Sequence, residues 1–220
     1  MKNCVLIPSY NEARTIGAIT KELKRRALAV YVVDDGSTDK TAELAAAEGA
    51  IVIAHDKNEG KGASLIEGFN RILKESFDAV LIMDGDGQHA TDDIDGFFNK
   101  MGESGADIVI GNRMLDTVSM PVARKITNRI MSHVISKMCG QAIPDTQCGF
   151  KLIKRNVLES IRLEFSNFEI ESEILLKAAK KGFKIESVPV KTVYEGETSK
   201  IKPIFDTIRF LFFLIRMAGR

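Results

Sequence analysis

The sequence predicts an α/β domain built on a mainly parallel, doubly wound sheet flanked by helices. Short apolar runs alternate with helix-period segments at βαβ spacing over residues 1–113. Most of those runs end in a polar cluster, and in such sheets ligands sit outside the carboxyl ends of the strands. The chain has 220 residues, 45% hydrophobic and 28% charged, enough for one full core with no repeat, linker or low-complexity segment.

The elements follow in order. "CVLIPSY" is an apolar run stopped by a proline, a buried strand running into a loop. Glu12 to Arg26 is helical, with Ile16, Ile19 and Leu23 on one face. "LAVYVVDDG" is the second strand, and "STDKTAELAAAEGA" an N-capped, Ala-rich helix closed by Gly49. "AIVIAH", "DAVLIMD" and "ADIVIGNR" are further strands. "GKGASLIEGFNRILKES" and "TDDIDGFFNKMGESG" are the helices between them. The polar clusters are "PSYNE", "DDGS", "DGDGQH" and "GNR". Asp, Asn, Gly and Ser are ordinary turn residues, but four such clusters at strand carboxyl ends suggest one shared site.

Composition narrows the function classes. A formal net charge of +1 gives no polyanion-binding signature, so no nucleic-acid partner is expected. The 3 widely spaced cysteines, Cys4, Cys139 and Cys148, argue against a disulfide framework and for a reducing, cytoplasmic compartment. The N-terminal apolar core is too short for a signal peptide, and no run reaches the roughly 18 apolar residues of a membrane span.

"AVLIMDGDGQHA" carries the chemistry. Asp84 and Asp86 stand two residues apart at a strand end, with Gly85 between them and no Lys or Arg nearby in sequence. Hard oxygen ligands of this kind suit Mg²⁺ or Mn²⁺, held by one or two carboxylates plus phosphate oxygens. Gln88 adds a neutral oxygen on the same side. Other readings fit less well. A haloacid dehalogenase-type phosphatase places its DxD after the first strand, not the fourth. No GxGxxG follows the first strand, "NEGKGAS" lacks P-loop spacing, and no GxSxG elbow is present.

"IPSYNE", "VVDDGSTDKT", "NEGKGASLIEGF", "DGDGQH" and "DTQCGFKLIKR" occur in the order seen in family 2 glycosyltransferases of the GT-A, nucleotide-diphospho-sugar transferase fold. Over roughly residues 3–200 the chain resembles the polyprenyl-phosphate (dolichyl-phosphate) hexosyltransferases. "DTQCGFKL" is similar to the glucosyl branch in particular. The resemblance implies a nucleotide pocket lined by Pro8, Tyr10 and Glu12, with the Val33 backbone and Asp35 on the base. It implies Asp84, Gly85, Asp86 and Gln88 at the metal and diphosphate, and Arg113 near the phosphate or acceptor end. By the same resemblance, Lys200 is expected to be the basic residue of a flexible loop that closes over the diphosphate. Tyr194 stands where mannosyl synthases carry an arginine, which weakens a GDP-mannose assignment. Glu169 or Glu171 is expected to face the site, against the plain alternative that acids favour a helix N-terminus.

The implied reaction is an inverting transfer of a hexose from a UDP-glucose- or GDP-mannose-class donor to a polyprenyl phosphate. A saccharide acceptor or a non-catalytic sugar-nucleotide-binding scaffold are the alternatives. Pro121 to Met138 mixes apolar and basic residues as an amphipathic helix suited to an anionic membrane surface. Phe210 to Ile215 is uninterruptedly apolar and flanked by Arg209 and Arg216. The chain is therefore expected to divide into a catalytic domain, residues 1–202, and a tail helix, residues 203–220. That tail would lie on the cytoplasmic face of a membrane, bind a membrane-protein partner, or form a homo-oligomer contact.

Overall fold

A computed structural model describes residues 1–118, 120–191, 210 and 212–217. One seven-stranded sheet runs in the order β3-β2-β1-β4-β6-β5-β7. Its strands are β1 (Asn3–Ser9), β2 (Ala29–Asp34), β3 (Ile51–Ala54), β4 (Ala79–Ile82), β5 (Ile108–Asn112), β6 (Lys151–Lys154) and β7 (Ile185–Pro189). The helices are α1 (Ile16–Arg25), α2 (Thr41–Ala47), α3 (Lys61–Ile72), α4 (Ile94–Ser104), α5 (Val122–Cys139), α6 (Arg155–Ser160) and α7 (Ile170–Lys180). The central strands are apolar throughout because helices cover both faces: Val5, Leu6, Ile7, Val32, Val33, Leu81 and Ile82 are fully buried.

β1 does not stop at its proline, as the sequence suggested. Leu6 offers its carbonyl to the Met83 amide on the β4 side, and Pro8, two residues on, faces the same way. Pairing with β4 ends at Leu6, so the donor Pro8 lacks is not needed, while pairing with β2 continues to Ser9.

The strand order reverses between β1 and β4, which opens a crevice at their carboxyl ends. β6 is antiparallel to both β4 and β5, and Lys151 at its start pairs with Ile82 and Ile110. An antiparallel strand begins where its parallel neighbours end. The segment before it, residues 145–150, is thereby delivered over the same crevice.

α1 buries Ile16, Ile19 and Leu23, as its period predicts. α5 behaves otherwise. Its buried residues are Asn128, Ser132 and Ile135, whereas Val122, Ile126 and Ile130 are 72%, 53% and 61% exposed. At the far end of the chain, Phe210 and residues 212–217 are helical. Phe213 is buried, edge-on to Phe165 at 5.0 Å, and Arg216 pairs with Glu164 at 3.1 Å. Phe212 and Ile215 stay exposed, so this turn docks one face on the domain and leaves the other in solvent.

Candidate active site

The acidic turn is fixed by its neighbours before any ligand arrives. Met83 buries the strand end, and the Gln88 amide donates to Asp86 Oδ1 at 2.9 Å, closing the turn. Gly85 lies against the loop after β1: a Cβ there would fall 2.6 Å from Ser9 Oγ. Thr15 Oγ1 donates to the Gly85 carbonyl at 2.6 Å. The loop after β1 is itself tied to the loop after β2. Asn11, at φ 56°, donates its backbone amide to Ser37 Oγ and accepts the Thr38 amide on its side-chain Oδ1, both at 2.9 Å.

Asp84 is not the bare carboxylate that the local sequence suggests. Lys61 Nζ stands 2.5 Å from its Oδ1 and 2.8 Å from Glu171 Oε1. Lys151, fully buried, ion-pairs with Glu171 Oε2 and donates to the Cys148 carbonyl at 2.5 Å. Gly149 roofs Asp84 so closely that a Cβ would meet Oδ2 at 2.5 Å. Burial would raise the Asp84 carboxyl pKa, but the positive charges around it, Lys61 foremost and Lys151 behind, together outweigh burial and hold the group well below the usual range. Glu171 follows the same pattern, with burial opposed by Lys151 and Lys61. Lys61 stays charged despite its burial because Asp84 and Glu171 face it.

His89 is buried, stacked on Phe150 at 4.8 Å, and accepts the Asp84 amide on Nδ1 at 3.1 Å. A ring nitrogen that accepts cannot carry a proton, so Nε2 is the protonated one. Burial, against the pull of Asp84, pushes the His89 pKa down to about 4. It is a neutral brace behind the turn.

The other expected residues are distributed as follows. Tyr10 and Glu12 lie in the loop after β1, beside the acidic turn; Tyr10 is exposed and Glu12 half-buried. Pro8 and Val33 are buried in paired register at the ends of β1 and β2. Asp35 is buried and its carboxylate is much engaged. It accepts the Glu59 amide at 2.8 Å and the Gly60 amide at 2.9 Å, and meets His55 Nδ1 at 2.8 Å. These bonds give it the task of shaping the loop that leads into α3. Arg113 forms a two-pronged pair with buried Asp145, at 2.8 and 3.0 Å. Asn128 of α5 donates to the same carboxylate at 2.8 Å, and the Asp145 pKa is lowered because burial is outweighed by the Arg113 pair and the Asn128 hydrogen bond together. Glu171 faces the acidic turn through Lys61, whereas Glu169 sits at the N-cap of α7. Lys200 and Tyr194 lie outside the described residues.

The donor set suits a hard divalent cation shared with phosphate. Among the described residues no group of three or more His, Cys, Asp or Glu is placed to hold a metal by itself. Two carboxylates and an amide oxygen on one turn leave most of a coordination shell to phosphate oxygens, the usual arrangement where a cation is bound with a nucleotide.

Sequence reasoning missed Lys61, Lys151, Asp145 and Gly149 as parts of the site. A lysine between two glycines and another opening an apolar strand were the available signals.

A mixed sheet with an acidic turn beyond its fourth strand, and a returning antiparallel strand beside it, is the GT-A arrangement. The chain belongs to glycosyl transferase family 2, whose pattern matches residues 4–162. It is 30% identical to the dolichyl-phosphate beta-glucosyltransferase of Saccharomyces cerevisiae, over 97% of this chain and 74% of that one. It is 28% identical to the UDP-N-acetylglucosamine–dolichyl-phosphate N-acetylglucosaminyltransferase of Methanococcus voltae, over 86% and 85% of the two chains. In fold it is similar to glucosyl-3-phosphoglycerate synthase of Mycobacterium tuberculosis, solved with Mn²⁺ and UDP-glucose. That match has a TM-score of 0.77 at 19% identity and covers 99% of this chain and 79% of the other. The protein is a glycosyltransferase.

Proposed function

We propose that the protein transfers a hexose from a nucleotide sugar to a polyprenyl phosphate at a membrane surface, with inversion at the anomeric carbon. Relatives named for dolichyl-phosphate acceptors support the acceptor class. The observation that carries the reading is the state of Glu171. It is the buried carboxylate joined to the acidic turn through Lys61, and two ammonium groups hold it ionised. Such a carboxylate is a poor proton acceptor. A sugar hydroxyl needs a base, whereas a phosphate acceptor arrives already anionic. An acceptor oxygen then attacks the anomeric carbon as the bond to the diphosphate breaks, and the nucleoside diphosphate leaves.

Asp84, Asp86 and Gln88 would hold Mg²⁺ or Mn²⁺, which when bound offsets charge on the leaving diphosphate. Tyr10, Glu12 and the Val33 backbone would line the nucleotide end. Asp35 would serve it through the loop it organises. Arg113 would stand at the acceptor side, with its guanidinium aimed by Asp145. Lys200 would close over the diphosphate.

Among the described residues no helix is long and apolar enough to cross a membrane. The exposed stripe Val122, Ile126, Ile130 on α5, flanked by Arg124, Lys125 and Arg129, suits lipid headgroups over an apolar boundary. Phe212 and Ile215 of the tail segment, residues 203–220, offer a second apolar contact beyond the catalytic domain of residues 1–202.

The test is incubation of labelled nucleotide sugars with polyprenyl phosphate and Mn²⁺, followed by extraction into organic solvent. Label should move into the organic phase. Asp86→Asn should reduce the transfer by about 100-fold or more while leaving the melting temperature nearly unchanged, since a turn carboxylate contributes little to folding. Label entering only water-soluble saccharide would favour the saccharide-acceptor alternative, and no transfer or hydrolysis with any donor would favour the scaffold.

A further inference from the structure

We propose that Lys61 makes metal capture at Asp84 conditional on the nucleotide diphosphate. The inference rests on the transfer reading above and assigns it a further positioning residue. Lys61 is a poor candidate for an ordinary surface lysine. Its Nζ lies 2.5 Å from Asp84 and 2.8 Å from Glu171, and its side chain is 15% exposed. The backbone that carries it is pinned. The Gly62 and Ala63 amides donate to the Ser166 carbonyl at 2.8 and 3.1 Å. A Cβ at Gly62 would meet the Phe165 carbonyl at 2.2 Å. The ammonium is therefore delivered to a fixed place.

Asp84, Lys61, Glu171 and Lys151 form an alternating set of two negative and two positive charges, neutral in sum. A divalent cation arriving alone meets a carboxylate already shared with an ammonium, in surroundings where like charges repel strongly. A diphosphate arriving with the cation brings the missing negative charge. It also gives the ammonium a further acceptor, because a lysine has three N–H donors and one here is hydrogen-bonded to Asp84, with Glu171 held as an ion-pair neighbour. The same lysine thus opposes the cation alone and favours the cation–diphosphate pair. Removing Lys61 makes this set, and the Asp86 carboxylate of the same turn, more negative by one charge in sum, so a bare cation is attracted more strongly.

The experiment is titration of the full chain with Mn²⁺, reading free Mn²⁺ by electron paramagnetic resonance, alone and with saturating UDP or GDP. The wild-type protein should bind Mn²⁺ weakly alone and tightly with one of the two nucleotides. Lys61→Met should bind Mn²⁺ alone about tenfold more tightly or better, and the gain from nucleotide should shrink by a similar factor. Lys61→Arg, which keeps the charge, should behave as wild type. Should Lys61→Met not fold, Lys61→Gln carries the same expectation. Neutral variants that bind Mn²⁺ alone no better than wild type would overturn the assignment. So would an arginine variant that tightens as much as the neutral ones. Failure of the wild-type protein to take up Mn²⁺ with any nucleotide would instead overturn the transfer reading, and the role of Lys61 with it.

Discussion

α1 and α5 are both written with apolar residues three and four apart, yet they turn those residues in opposite directions. α1 lays Ile16, Ile19 and Leu23 on the sheet. α5 turns Val122, Ile126 and Ile130 to solvent and grips the domain with a polar ladder. Asn128 holds Asp145, Ser132 Oγ receives the Thr146 amide at 2.9 Å, and Ser136 exchanges hydrogen bonds with Ile143. Periodicity therefore reports that a helix has two faces, but not which face is inside. The inward face of α5 is defined by what it must hold: the segment 143–148, which carries the aspartate that aims Arg113.

The largest expected effect tests that ladder. Asp145→Ala leaves the Arg113 guanidinium, only 13% exposed, without its paired carboxylate. Breaking a buried pair from one side costs about 3–5 kcal/mol, so chemical denaturation should show a loss of that size. A loss under about 1 kcal/mol would mean that α5 is not held this way.

Leu23→Ala, on the inward face of α1, should cost about 2–5 kcal/mol through transfer and cavity terms, with no effect on lipid binding. Denaturation midpoints and vesicle co-sedimentation read the two outcomes.

The smallest effect on stability is expected from the outer stripe of α5. The double variant Ile126→Ser, Ile130→Ser should change unfolding free energy by less than about 0.5 kcal/mol per site, as exposed positions do. The same variant should lose most of its binding to anionic vesicles. A large drop in stability with vesicle binding intact would reverse the contrast between the two helices.

The alternation of strands and helices, the crevice and the acidic turn were legible because each is encoded locally, in apolar runs of strand length and in carboxylates at their ends. The partners of that turn were not. Lys61 and Asp84 are 23 residues apart, and Arg113 and Asp145 are 32 apart. Pairs of that kind leave no periodic trace. β6 escaped notice for a related reason. "KLIK" is only four residues long and opens with a lysine, which looks like surface until Glu171 is placed beside it. The roles expected of Lys200 concern residues outside those the structure describes.

The central claim is that the acceptor is a phosphate and needs no base from the protein. The direct measurement compares transfer from one nucleotide sugar to a polyprenyl phosphate and to the same polyprenol without its phosphate, under identical detergent and Mn²⁺. The account predicts lipid-linked sugar from the phosphate and none above background from the alcohol. Comparable rates on the two acceptors, or faster transfer to the alcohol, would contradict it.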